Sequence, residues 1–217
     1  MDDLLKYLKK PIYIDSIRPN FYNIISLAVI TFLIIFPTGI VIYLLSIAFD
    51  LSTLTNDIPA LKLFIMGMIL APIYEEIFFR SLLKFDKKNI LIFLSTCLLL
   101  ITYSILNDKF AIIIILSIIL ILVISIYLSS NVNKVSNFIK KHFKYFFYAS
   151  SLIFGLIHAT NFIGNIYIII SLAIFLTLPQ IISGLIMGYA RMKYGLIYSI
   201  ILHMINNSVI IFTLLKQ

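Results

Sequence analysis

The sequence predicts an all-α fold, a polytopic bundle of about seven transmembrane helices, on three observations. The 217-residue chain is 62% hydrophobic and only 12% charged, with a mean hydropathy of +1.10, whereas a soluble domain carries about a quarter charged residues. Its apolar residues fall in runs spread over the whole chain, such as Ala111 to Ser129, long enough to cross about 30 Å of hydrocarbon. Basic residues collect between alternate runs, as they do in cytoplasmic loops.

Residues 1–20 mix Leu4, Leu5, Tyr7 and Leu8 with Lys6, Lys9 and Lys10 before Pro11 interrupts them. This segment reads as a cytoplasmic juxtamembrane piece lying in the headgroup region, with a frayed terminus as the alternative. Residues 21–217 read as one integral membrane domain. Its apolar segments run from Phe21 to Phe49, Pro59 to Leu83, Ile90 to Leu106, Phe110 to Ser129, Phe146 to Thr160, Ile166 to Ala190 and Gly195 to Leu215. Pro179 either kinks the sixth segment or splits it, which makes eight spans the alternative.

Charge placement orients the bundle. Lys6, Lys9, Lys10 and Arg18 precede the first span, and Arg80, Lys84, Lys87 and Lys88 follow the second. Lys134, Lys140, Lys141 and Lys144 follow the fourth, and Arg191 and Lys193 follow the sixth. The alternation predicts a cytoplasmic N-terminus. No signal-peptide pattern precedes the first span, so that span is expected to remain. The net charge of +8 forms no continuous basic face, so nucleic acid is not an expected partner; membrane lipids are. Cys97 is the only cysteine and reads as a small buried hydrophobe.

Three segments carry residues that an apolar span rarely tolerates. The second ends in Glu75-Glu76-Ile77-Phe78-Phe79-Arg80. An ionisable side chain at the centre of a bilayer costs about 2.5 to 3.5 kcal/mol on insertion scales. Glu76 and Arg80 lie four apart and can pair on one helix face. Glu75 is turned about 100° from Glu76, so the two carboxylates are not expected to serve one partner equally. An interfacial charge cluster closing the span is the plain alternative. The fifth segment ends at His158, and the seventh holds His203 and Asn207, four apart on one face. Taken singly, each histidine also fits a buried hydrogen-bonded side chain.

Depth joins them. From the expected cytoplasmic boundaries, Glu75 lies roughly 8 to 12 Å in, His158 roughly 16 Å, His203 roughly 13 Å and Asn207 roughly 19 Å, at the helical rise per residue. Such a shared layer is what one intramembrane site requires.

The three motifs, Glu75-Glu76-x-x-x-Arg80, Phe154-x-x-x-His158 and His203-x-x-x-Asn207, resemble in type and order those of the CAAX prenyl protease and bacteriocin-processing (Abi) family. They span residues 75–207, about two-thirds of the chain. Gly184 and Gly188, which permit close helix approach, fall where the family also has a glycine-containing helix. The resemblance implies a helical intramembrane endopeptidase acting on substrates in or near the bilayer, and the Ile- and Lys-rich character of the chain points to a bacterial cytoplasmic membrane. It implies that Glu75 and His158 activate water, that His203 and Asn207 bind the oxyanion, and that Glu76 and Arg80 support the site. The gap between the first two motifs is longer than is usual in the family, as if a helical pair had been added at 90–129.

The residue types fit such chemistry without a covalent intermediate, because no Ser or Cys within the motifs adjoins a histidine. A carboxylate in a low dielectric can act as a general base near neutral pH. No cofactor is then needed. The alternative is a zinc enzyme using Glu75, His158 and His203 as ligands. Two further readings stand beside proteolysis: a peptide-binding or bacteriocin-immunity protein, and a small transporter relaying protons through its carboxylates.

Overall fold

A computed structural model of the chain describes residues 2–53, 60–106, 127 and 130–214. These are nearly all helical, as expected. The predicted span from Phe110 to Ser129 lies outside the described residues, apart from Tyr127.

Helix α1 (Asp2–Lys9) buries Leu4 and Tyr7. An aromatic cluster of the chain itself covers these two side chains. The Tyr7 ring meets Phe147 edge-on at 5.6 Å and Tyr189 at 5.2 Å, and the Tyr148 hydroxyl donates to the Leu8 carbonyl at 2.6 Å. Helix α2 (Phe21–Ala48) opens on a capping box, in which Asn20 accepts from the Asn23 N–H and Asn23 from the Asn20 N–H. This satisfies two of the N–H groups that any helix start leaves unpaired. Its 28 residues rise about 42 Å. Most of its length presents bare apolar side chains outward, which favours a lipid surrounding over water.

The second predicted span is helical throughout its described residues but changes register along its length. Helix α3 (Ala60–Leu63) runs into a π-helical stretch, Phe64–Leu70, and then into α4 (Ala71–Arg80), closed by a 3-10 turn at Ser81–Leu83. Pro72 explains the change of register, since it brings no N–H and crowds the preceding turn. Helix α5 (Lys87–Leu106) follows, then α6 (Val132–Lys141) and α7 (Phe143–Ile157). A 3-10 turn at His158–Asn161 ends α7 and leads into β2 (Phe162–Ile163), which pairs antiparallel with β1 (Ser52–Thr53).

The sixth segment resolves into two helices, α8 (Ile166–Leu176) and α9 (Leu178–Tyr194), bent by 40°. Gly195, at φ +108°, turns the chain into α10 (Leu196–Leu214); a positive φ of this kind suits glycine. Helix α9 is the buried centre, with Ile186, Met187, Ala190 and Met192 fully enclosed, and it packs on α7, α10 and α2. Among the described helices α2 alone is long and apolar enough to cross a bilayer by itself, and the bent α8–α9 pair makes a second such element. The expected number of seven spans is not carried by these lengths. Segment two changes from a π-helical to an α-helical register just before Pro72, and α7 has only 15 residues.

Small residues set the central contact. A methyl group added at Gly184 would lie 3.0 Å from Arg80 Nη2 and 3.0 Å from the Phe154 ring, and one at Gly188 would lie 2.8 Å from the Phe147 ring. The two glycines therefore let α7 approach α9 closely enough to seat Arg80 beneath Phe154.

Candidate active site

The residues expected from the sequence come together where α4, the end of α7 and α10 meet. Glu76 and Arg80 are fully buried, 3.5 Å apart (Oε1 to Nη1). Removing a charge from water is costly unless it is compensated. Glu76 compensates Arg80, and the Phe154 ring lies 3.9 Å under its guanidinium carbon, a cation–π contact. On its other side Glu76 accepts from the Ser199 hydroxyl, which also has the Met187 carbonyl at 3.0 Å.

His203 links the two glutamates. Its Nδ1 lies 3.1 Å from Glu76 Oε1, and its Nε2 lies 3.7 Å from Glu75 Oε2. The two contacts are unequal, as the turn between adjacent carboxylates leads one to expect: Glu76 is within hydrogen-bond reach and Glu75 is not. An imidazole has a nitrogen on each side of its ring, and the ring spans the turn between the two side chains.

His158 approaches the same oxygen of Glu75, with its Nε2 3.9 Å from Glu75 Oε2. Its Nδ1 lies 2.8 Å from the Phe154 carbonyl. A carbonyl only accepts, so Nδ1 carries the proton, and in the neutral ring Nε2 presents its lone pair to Glu75. Both separations from Glu75 exceed direct hydrogen-bond length. Glu75 and His158 are partly exposed, at 28% and 19% of their side-chain surface, whereas Glu76 and Arg80 are not exposed at all. The adjacent glutamates thus occupy different environments: Glu76 is locked in a buried network, and Glu75 opens onto a cavity of about 310 Å³ that His158, His203 and Asn207 also line.

Asn207 reaches this cavity but is already committed in part. Its Nδ2 donates to the Gly67 carbonyl at 2.9 Å. In a π-helical register Pro72 would be the residue whose N–H answered Gly67, and proline has none. Asn207 replaces that missing donor and ties α10 to the π-helical stretch before α4, and its second amide N–H has no partner among the described residues.

Two participants escape the sequence reading. Ser199 lies four residues before His203, so Ser199, His203 and Asn207 form one stripe on α10; that spacing is the signal that could have found it. Arg191 is expected in a cytoplasmic loop. It is instead buried, with Nε donating to the Arg80 carbonyl at 3.0 Å and Nη2 to the Ser81 carbonyl at 3.2 Å. It caps α4 just beyond Arg80, answering carbonyls that a helix end leaves unpaired.

Among the described residues no group of three His, Cys, Asp or Glu is placed to hold a metal ion.

Residues 56–209 match the type II CAAX prenyl endopeptidase Rce1-like family. The chain belongs to that family, whose members are membrane-embedded proteases. No curated protein matches the chain, and no solved structure does.

Proposed function

We propose that the chain is an intramembrane endopeptidase that hydrolyses peptide bonds of membrane-associated peptides or proteins with a water activated by Glu75 and His158. The supporting observation is the pairing of Glu75 Oε2 with His158 Nε2 at 3.9 Å at the edge of an open cavity. With Nδ1 of His158 donating to Phe154, two acceptors face each other. A water molecule that donates to both satisfies them; Glu75 takes its proton as the oxygen attacks a carbonyl, and His158 holds the water in place.

His203, with Nδ1 held by Glu76, turns Nε2 toward the same cavity. Protonated there, it donates to the oxyanion together with the free N–H of Asn207. Such donors contribute about 3 to 4 kcal/mol each to the transition state. Glu76 and Arg80 hold His203 and touch no substrate. In this reading residues 21–217 form the membrane domain, with about seven spans and residues 1–20 on the cytoplasmic side of a bacterial membrane. Lipid and the substrate are its partners, and neither nucleic acid nor a cofactor takes part.

The test is incubation of the detergent-purified chain with a library of membrane peptides, followed by mass spectrometry. New peptide termini that are absent with Glu75→Ala support the reading; intact peptides throughout contradict it.

A further inference from the structure

A second cavity shares a wall with the first. It measures about 510 Å³ and lies between α2 and the α9–α10 pair, with Phe36, Gly39 and Tyr43 on one side and Val209 on another. Phe36 and Tyr43 are largely exposed on the outside of the bundle, so the rim of this cavity faces the lipid. Gln180 and Asn206 belong to both cavities. Their atoms Gln180 Oε1 and Asn206 Nδ2 are buried without a hydrogen-bond partner among the described residues. One is an acceptor and the other a donor, held where an apolar passage meets the carboxylate.

We propose that the apolar cavity is the approach by which an extended peptide reaches Glu75, with its apolar side chains between α2 and α10 and its main chain bound by Gln180 and Asn206. The inference rests on the hydrolytic reading and names the form in which its substrate arrives. A peptide group carries one N–H and one C=O, the complement of the two unpaired atoms. An acyl chain could fill the same volume but would leave both atoms unsatisfied, and that is costly for buried polar groups. Gly39 fits the role as well: a Cβ there would meet nothing within 4 Å, so its missing side chain answers no packing need and leaves room in the passage.

The experiment uses the purified Glu75→Gln chain, so that binding is read without turnover. Its probe is a dansyl-labelled Leu/Ala peptide followed by fluorescence anisotropy, and oleate serves as competitor. Gly39→Leu is expected to weaken peptide binding at least tenfold with an unchanged melting temperature. Gln180→Met and Asn206→Leu should each weaken it about fivefold. Methylating the peptide's central main-chain nitrogens should weaken its binding to the otherwise unaltered chain to a similar extent. Equal affinity for both peptides, or an unchanged affinity in all three variants, overturns the proposal. So does displacement of the peptide by oleate in a manner sensitive to Gly39→Leu alone, which marks a lipid site. The predicted binding pattern without cleavage by the Glu75-containing chain would support the approach and refute proteolysis.

Discussion

The guanidinium carbon of Arg80 lies 3.9 Å from the centroid of the Phe154 ring, which joins the first motif to the second. Phe154 also meets His158 at 4.9 Å and His203 at 5.8 Å between ring centroids. One aromatic side chain therefore sets the spacing of the charged residues, and its own carbonyl orients His158. Replacing it by leucine keeps an apolar side chain but removes the π face. Burial strengthens a cation–π contact to about 2 kcal/mol, so Phe154→Leu should destabilise the chain by about 2 to 3 kcal/mol. Phe147→Leu, on the same helix with no cation beside it, should cost about 1 kcal/mol. Thermal unfolding in detergent compares the two.

Glu76 and Arg80 stand or fall as a pair. Glu76→Ala leaves a buried guanidinium without its counter-charge, and breaking such a pair costs about 3 to 5 kcal/mol. The double variant Glu76→Leu, Arg80→Met removes both charges and should recover much of that stability. It should remain inactive, because His203 loses the carboxylate that holds its Nδ1. Melting temperature and peptide cleavage, measured on the same samples, separate the two effects.

A Cβ at Gly184 would press on Arg80 and Phe154 at 3.0 Å and on the Ser151 carbonyl at 3.2 Å, so these neighbours would have to shift. Gly184→Ala should cost about 1 to 3 kcal/mol, the usual penalty for overpacking. At Gly39, where nothing lies within reach, the same substitution should be neutral or slightly stabilising, because alanine is the better helix former. The difference in melting temperature between these two variants measures how tightly α7 is pressed onto α9.

Metal dependence is decided by composition and rate. With Glu75, His158 and His203 activating water directly, the purified chain should contain far less than one zinc per molecule and keep its cleavage rate after treatment with a chelator. Stoichiometric zinc, with activity lost on chelation and restored by the metal, would make those three residues ligands and replace the metal-free mechanism.

Much of the site is legible in the sequence because helical spacing is a local property. Glu76 and Arg80, and equally His203 and Asn207, fall on one face by sequence separation alone, and the cost of ionisable groups in lipid marks them out. Tertiary contacts are not legible. The donation from Asn207 to Gly67 depends on the π-helical register upstream of Pro72, which hydropathy does not report. Arg191 resembles a loop cation because it ends an apolar run, yet it turns inward to cap α4. Pro179 leaves open whether the sixth segment kinks or splits, since proline breaks the ladder but does not say how far the axis turns. The covering of α1 by the chain itself is equally hidden, because amphipathicity shows that a face will be covered and not by what.

Glu75 is assigned the removal of the proton from the attacking water, while its neighbour Glu76 only holds the frame. This division of labour is tested most directly by the single-turnover cleavage rate of Glu75→Gln, a nearly isosteric change, on a peptide that the parent chain cleaves. The expected result is a loss of at least about a hundredfold, the low end for general base catalysis, with peptide binding and melting temperature unchanged. A Glu75→Gln chain that cleaves at the parent rate would contradict it.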